Sequence, residues 1–388
     1  MYLTDQSYYS CALQFAPHNK MMMKAKRDEG SGKKPSVFAG MGPDFGAEPL
    51  GKGRVRFNMY APEGCRVEVE GMPGTPMWKP EGSRTKLKET KPGFYTGEVC
   101  DWPCGFQYIQ FYVNDIPTIN PKAPVGVGYG KAVNFCEVPG DPEETDVYAL
   151  KDVPHGSVTM EIYYSSVTGM YRNCYVYTPP AYDPGKKYPL LFLQHGGGED
   201  ETGWLWQGKI NYIMDNLLAD GKAEEMIIVM NAGYSFKADD PYDFLPGDLG
   251  AVLETDLLPV LEKKYSIYTD REHRAMAGLS MGSWQTQHAA VMHPGLFAWE
   301  GIFSGGPGKR LEELDMDSNF ADLEMARKMK LIFISCGTGE PRCQGQIAFV
   351  KQMQAEGLDN LVMDTWPGVH EWRVWRHAAY AFLQLLFK

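Results

Sequence analysis

Gly278-Leu279-Ser280-Met281-Gly282 reads G-x-S-x-G, a spacing that sets a serine on a sharp turn between a strand and a helix. Glycine is needed on both sides because such a turn is strained and its helix passes close to the strand. A serine hydroxyl is a weak nucleophile by itself. The acyl-transfer chemistry it could do here requires a base, an acid to orient the base, and donors for an oxyanion. In the chain order that goes with this turn, the acid follows the serine and the base comes last. His370, in Pro367-Gly368-Val369-His370-Glu371-Trp372, precedes a terminal helical run and can hang an imidazole over the serine. His273, His288 and His293 neighbour the turn in sequence and read as structural. The acid is expected in Gly337-Thr338-Gly339-Glu340-Pro341, whose one carboxylate is Glu340, with Asp359 and Asp364 as competitors. Two backbone N–H groups must face the oxyanion. Met281 supplies one, and Gly197 in His195-Gly196-Gly197-Gly198-Glu199-Asp200 is the first choice for the other. A phosphate loop is disfavoured there because no G-K-[ST] follows.

The elements that must position these residues follow from periodicity. Tyr188 to His195 and Met226 to Asn231 are near-continuous apolar runs, as strands buried on both faces should be. Arg274 to Gly278 feeds the serine turn, Ser283 to Met292 supplies the helix after it, and Lys330 to Cys336 is a late strand. Leu253, Leu257, Val260, Leu261 and Tyr265 share one face of a predicted helix, and Glu371 to Phe387 closes the chain as another. Strands alternating with helices predict an α/β catalytic domain over residues 155–388. Residues 41–140 read instead as short alternating strands broken by Gly and Pro, such as Arg54 to Tyr60, Arg66 to Glu70, Gly93 to Val99 and Phe106 to Val113. That texture predicts a small all-β sandwich. A Met-, Lys- and Gly-rich irregular leader is expected over residues 1–40, and a linker rich in Pro, Asp and Glu over 141–154.

Two domains suit a chain of 388 residues. A net charge of −11 without a basic cluster argues against nucleic acid. No apolar run approaches the ~20 residues of a membrane span. The N-terminus lacks the basic and apolar regions of a secretory signal, so a cytoplasmic protein is expected, or a secreted one if a leader has been removed. The eight cysteines, at 11, 65, 100, 104, 136, 174, 336 and 343, form no CxxC pair, so zinc is not expected and buried reduced thiols are. Cys336 and Cys343 flank the Glu340 loop, and a disulfide between them stays open. So does the oligomeric state, a homo-oligomer included.

Taken together, His195 to Trp204, the elbow at Gly278 to Gly282, Cys336-Gly337-Thr338-Gly339-Glu340 and Gly368-Val369-His370-Glu371-Trp372 resemble the esterase-D-type α/β-hydrolases. That family holds the feruloyl and acetyl-xylan esterases of carbohydrate esterase family 1, and siderophore esterases. The resemblance covers roughly residues 155–388 and implies a Ser280-His370-Glu340 triad that uses no metal or organic cofactor. Glu340 departs from the Asp usual at that position, and Ser283-Trp284 stand where many relatives carry a further glycine. Tyr60-Ala61-Pro62, Gly105 to Tyr108 and Asn114 to Pro117 resemble the immunoglobulin-like, family-48 carbohydrate-binding domain that precedes many carbohydrate-active enzymes. Trp78 and Trp102 there read as core or edge residues rather than a sugar platform. Trp204, Trp206, Trp284 and Tyr234 stand close in sequence to the oxyanion loop, the elbow or a core strand, and could stack on a cinnamoyl group or a sugar; core or rim packing is the alternative for each. The expectation is feruloyl ester hydrolysis on plant cell-wall oligosaccharides. Acetyl-xylan and siderophore esters are alternatives, then acyl transfer to a sugar and a non-catalytic carbohydrate-binding protein.

Overall fold

The structure, a computed structural model, describes residues 46–71, 84–237 and 246–388. The expected leader at 1–40 and Trp78 lie outside the described residues. The chain divides into two compact units, 1–146 and 147–388. That division falls inside the expected linker, where Pro142–Thr145 form a short helix.

In the first unit the strands are β1 (Ala47–Gly51), β2 (Arg54–Tyr60), β3 (Val67–Gly71), β4 (Thr85–Lys91), β5 (Phe94–Val99), β6 (Gly105–Val113), β7 (Ile116–Thr118), β8 (Val125–Gly128) and β9 (Lys131–Val138). They pair antiparallel in the order β1-β2-β5-β4-β3-β6-β9-β8, with β7 on β6. Residues two apart share a face, so Val55, Phe57 and Met59 of β2 point one way. They meet Val67 and Val69 of β3 and Ile109 and Phe111 of β6 in one core. Strands far apart in the order thus close over a shared interior, which makes the unit a sandwich. Trp102 packs on Phe57 with ring centroids 5.2 Å apart. Cys100 is exposed, and Cys65 is half-buried, against the expectation of buried thiols; both stand beside turns rather than within strands.

The second unit holds β10 (Ser157–Ser165), β11 (Met170–Thr178), β12 (Leu190–Gln194), β13 (Ile227–Asn231), β14 (Arg274–Leu279), β15 (Trp299–Phe303), a small β16 (Arg310–Leu311) and β17 (Met316–Asp317) pair, β18 (Leu331–Gly337) and β19 (Leu361–Trp366). The main sheet runs β10-β11-β13-β12-β14-β15-β18-β19, parallel from β13 onward. This is the α/β-hydrolase architecture. Helices α1 (Ile210–Ala219), α2 (Leu258–Lys264), α3 (Met281–Met292), α4 (Cys343–Ala355) and α5 (Trp372–Leu383) accompany it. On one face Phe192, Val229, Met276, Ile302 and Ile334 pack with Leu253, Leu257 and Leu261. On the other, Phe303 and Phe333 meet Phe382 of α5. Both faces are therefore covered, which is why these strands are mainly apolar. The predicted helix around Leu253 is not uniform: Val252–Leu257 form a wider π-turn leading into α2. Pro259 has no N–H to give the α-ladder, and the wider turn carries the chain past that missing bond.

Register aligns the strand ends. Gln194 pairs with Gly278, Leu279 with Phe303, Phe303 with Ser335 and Gly337 with Trp366. The loops after β12, β14, β15, β18 and β19 therefore leave the same edge, where ligands of such sheets bind. Within β15, Glu300 is fully buried and its Oε2 accepts from Asn319 Nδ2 at 2.7 Å. Burial pushes its carboxyl up to about 8. Among the described residues Glu300 Oε1 and Asn319 Oδ1 have no partner, and a protonated, neutral Glu300 suits a site that offers its carboxylate no cation. Among the described residues no helix is long and apolar enough to cross a membrane.

Candidate active site

Ser280 joins β14 to α3 at φ 50° and ψ −115°, a region that costs an L-residue roughly 1–3 kcal/mol. The surroundings hold it there. Its N–H donates to Phe303 O at 2.9 Å, and its carbonyl accepts from Ser283 N–H at 3.0 Å and Ser283 Oγ–H at 2.6 Å. The flanking glycines answer to crowding. A Cβ on Gly278 would lie 2.4 Å from Gly282 C, and one on Gly282 would lie 2.6 Å from His195 O.

Glu340 and His370 meet across the ends of β18 and β19. His370 Nδ1 lies 3.1 Å from Glu340 Oε2. The two loops are tied by backbone bonds as well, Thr338 N–H to Trp366 O and Gly339 N–H to Gly368 O, each 2.8 Å. The other carboxylate oxygen, Oε1, accepts from Ser304 Oγ–H at 2.6 Å and Gly337 N–H at 2.8 Å. Burial pushes the Glu340 carboxyl up, but the hydrogen bonds from His370, Ser304 and Gly337 outweigh it and hold the group below the usual carboxylate range. Ser304 Oγ in turn accepts from Trp375 Nε1–H at 2.9 Å, and the Trp375 ring meets the His370 ring edge-on at 5.0 Å. Asp359 and Asp364, the competing acids, are solvent-exposed and, among the described residues, neither bonds His370. His273 pairs with Asp270 at 2.8 Å and stacks on Tyr268. His293 sits between Glu254 at 2.9 Å and Asp248 at 3.1 Å, with His288 at 4.0 Å from Asp248.

The glycine loop passes over the elbow. A Cβ on Gly196 would stand 3.5 Å from Ser280 Cβ, and one on Gly197 3.9 Å from Met281 Cβ. Met281 opens α3, where the first N–H groups have no acceptor within the helix. Gly196 N–H donates to Glu199 Oε2 at 3.1 Å and Gly198 N–H to the Tyr234 hydroxyl at 2.6 Å. Among the described residues nothing accepts from Gly197 N–H. His195 is buried; Nδ1 lies 2.8 Å from Gly196 O and Nε2 accepts from Gly233 N–H at 2.8 Å. Burial drives its imidazole down to about 4, so it is a neutral structural strut with its proton on Nδ1.

The aromatic residues require correction. Trp204 is fully buried, donates Nε1–H to Gln194 O at 2.8 Å and packs on Trp372 at 5.1 Å. It is a core residue, because the short helix Gly203–Trp206 turns its ring against the strand end at Gln194, before the glycine loop. Trp284 is also buried and turned toward Gly306, where a Cβ would come within 2.9 Å of its ring. Neither ring offers a face for stacking. Trp206 and Tyr234 are half-buried, and the Tyr234 hydroxyl is engaged by Gly198. Sequence reading missed Ser304, Trp375 and Glu199; a Ser-Gly-Gly after the segment Trp299 to Phe303, echoing the elbow, is the one signal that pointed to Ser304. Among the described residues no group of His, Cys, Asp or Glu could hold a metal ion. Cys336 and Cys343 are both free and buried.

Residues 165–384, more than half of the chain, match the Esterase family. The chain belongs to that family. As a member of that family, the chain carries the motifs that led us to expect an esterase. It is 32% identical over 348 residues to an endo-1,4-β-xylanase/feruloyl esterase of Xylanibacter ruminicola, a match covering 87% of this chain and 45% of that protein. An endo-1,4-β-xylanase Y of Acetivibrio thermocellus is 29% identical over 42% of this chain and 15% of that protein. The esterase thus spans less than half the length of these curated relatives. Among solved structures, a family-1 carbohydrate esterase of Anaeromyces mucronatus, a ferulic acid esterase in complex with ferulic acid, is 25% identical with a TM-score of 0.51, covering 61% of this chain and 93% of that one. The enterobactin esterase of Shigella flexneri, 16% identical with a TM-score of 0.57 over 87% of this chain and 94% of that one, shares the fold.

Proposed function

We propose that this esterase hydrolyses hydroxycinnamoyl esters, feruloyl esters foremost, of plant cell-wall oligosaccharides through Ser280, His370 and Glu340. The observation that carries the mechanism is the Glu340–His370 pair, 3.1 Å apart, on the loops beside a strained serine elbow. Similarity to the xylanase/feruloyl esterase and to the ferulic acid esterase supports the acyl group.

In this reading Ser280 Oγ attacks the ester carbonyl carbon while His370 Nε2 takes the hydroxyl proton. Glu340 Oε2 accepts from Nδ1–H and stabilises the imidazolium that forms. The tetrahedral oxyanion receives the N–H groups of Gly197 and Met281; one such donor is typically worth ~3–4 kcal/mol in the transition state. The sugar alkoxide leaves with the proton from His370, and the acyl group stays on Ser280. Water, deprotonated by His370, then attacks the acyl-enzyme and releases the carboxylic acid.

A smaller acyl group is the second reading. Burial of Trp204 and Trp284 withdraws two rings expected to stack on a cinnamoyl group, which favours acetyl esters of xylan. The test is the protein and its Ser280→Ala variant on methyl ferulate, an aryl acetate, acetylated xylan and a catecholate lactone. Ser280-dependent ferulate release with little acetate supports the first reading, preference for acetyl substrates the second. Turnover confined to the lactone refutes both, and no Ser280-dependent release from any substrate refutes the triad itself.

A further inference from the structure

We propose that Tyr234 and Glu199 are positioning residues that clamp the oxyanion loop on both sides of Gly197, so that this one N–H is kept for the reacting carbonyl. The inference rests on Ser280 being the nucleophile. Three consecutive N–H groups lie along the loop, and the outer two are occupied: Gly196 by Glu199 at 3.1 Å and Gly198 by the Tyr234 hydroxyl at 2.6 Å.

Both partners are themselves fixed. The buried Arg172 of β11 donates to the carbonyls of Ala232 and Tyr234 and, through Nε, to the Tyr163 hydroxyl at 3.3 Å. Gln285 of α3 donates to Gly233 O at 2.6 Å, and His195 accepts from Gly233 N–H. Every residue from 232 to 234 is thus tied to a neighbouring element, and the Tyr234 ring rests between His195 at 5.6 Å and Phe236 at 6.4 Å. The hydroxyl is the tip of a rigid strut. On the other side Glu199, itself buried, accepts from Trp372 Nε1–H at 2.8 Å. Trp372 lies two residues beyond His370, so one carboxylate registers the oxyanion loop against the chain that carries the base. Tyr234, read from sequence as a substrate contact, acts through the backbone instead.

The decisive variant is Tyr234→Phe, which deletes the acceptor and keeps the ring. On an aryl acetate, kcat should fall by about ten- to a hundredfold, short of the ~10²–10³ for outright loss of a donor, with KM within about twofold. Affinity for a boronic acid that forms a tetrahedral adduct on Ser280 should weaken by the same factor. Glu199→Gln, which loses one of two acceptor oxygens, should show the same split. A raised KM with unchanged kcat would mean that Tyr234 lines the acyl site, and unchanged kcat with unchanged boronate affinity would mean no clamp; either overturns the proposal. Amide exchange at Gly198, expected to quicken in Tyr234→Phe, reads the clamp without turnover. An inactive parent would therefore sink the proposed function and with it the catalytic purpose of the clamp, which exchange would still show, while unchanged exchange would sink this inference alone.

Discussion

Replacing Glu300 by Gln should stabilise the second unit, by an amount that depends on pH in a defined way. The Glu300 carboxyl titrates at about 8 in the folded chain because it is fully buried, against 4.5 when solvated. Between those values the folded state holds a proton that the unfolded chain has released. Stability from this group is therefore fully present below pH 4.5, falls as pH rises, and levels off above about 8. Each pH unit is worth about 1.4 kcal/mol, so by pH 7 the parent has lost roughly 3 kcal/mol. Gln is neutral throughout and has the shape of the protonated acid: its carbonyl accepts from Asn319 Nδ2. The Glu300→Gln variant should match the parent near pH 4.5 and exceed it by about 3 kcal/mol at pH 7. Urea unfolding at half-unit steps from pH 4.5 to 8, following the transition of the second unit, measures the difference directly. A difference that does not change with pH, or a variant weaker than the parent at pH 7, would refute a neutral Glu300.

Glu340→Gln should lower kcat by about 10³–10⁴-fold with KM little changed, as loss of the orienting charge does in serine triads; because the folded carboxyl is depressed, its stabilising contribution is present above the ordinary carboxylate pKa and lost on acidification, so the variant should also lose less stability between pH 5 and 3 in acid-unfolding curves. Trp204→Ala should cost about 3–5 kcal/mol in denaturant unfolding, the range for emptying a large core site, while the KM of the folded fraction stays put; a KM increase at unchanged stability would restore the ring to the substrate. Gly282→Ala drives a Cβ to within 2.6 Å of His195 O and should spread the oxyanion loop from the elbow, seen as a fall in kcat with about 1–3 kcal/mol of lost stability.

What could be read in advance was whatever a local pattern encodes. β12, β13, β14 and β18 were legible because strands covered on both faces are mainly apolar, and the elbow because crowding admits only glycine at Gly278 and Gly282. The candidate acid and base followed from chain order, each on the loop after a strand. β19 escaped notice because Asp364 and Thr365 interrupt its apolar pattern, one on each face. Trp204 and Trp284 misled for a different reason: nearness in sequence to a catalytic loop does not fix the direction of a ring. The link from Tyr234 to Gly198 joins residues 36 apart, and that from Glu199 to Trp372 residues 173 apart. No window of sequence holds such pairs. They exist only once the sheet register brings these strand ends, that of β13 included, to one edge.

The Glu199–Trp372 bond also bears on how the molecule comes to life during synthesis. On the proposed mechanism the elbow emerges from the ribosome long before the last helix, yet the base, its acid and one arm of the proposed loop clamp all depend on contacts with residues after Gly368. A nascent chain would therefore display the proposed nucleophile without hydrolysing anything. Activity would switch on abruptly when α5 docks, late and by long-range contacts of the kind that fold slowly, which makes ester turnover a sensitive clock for the final step of folding.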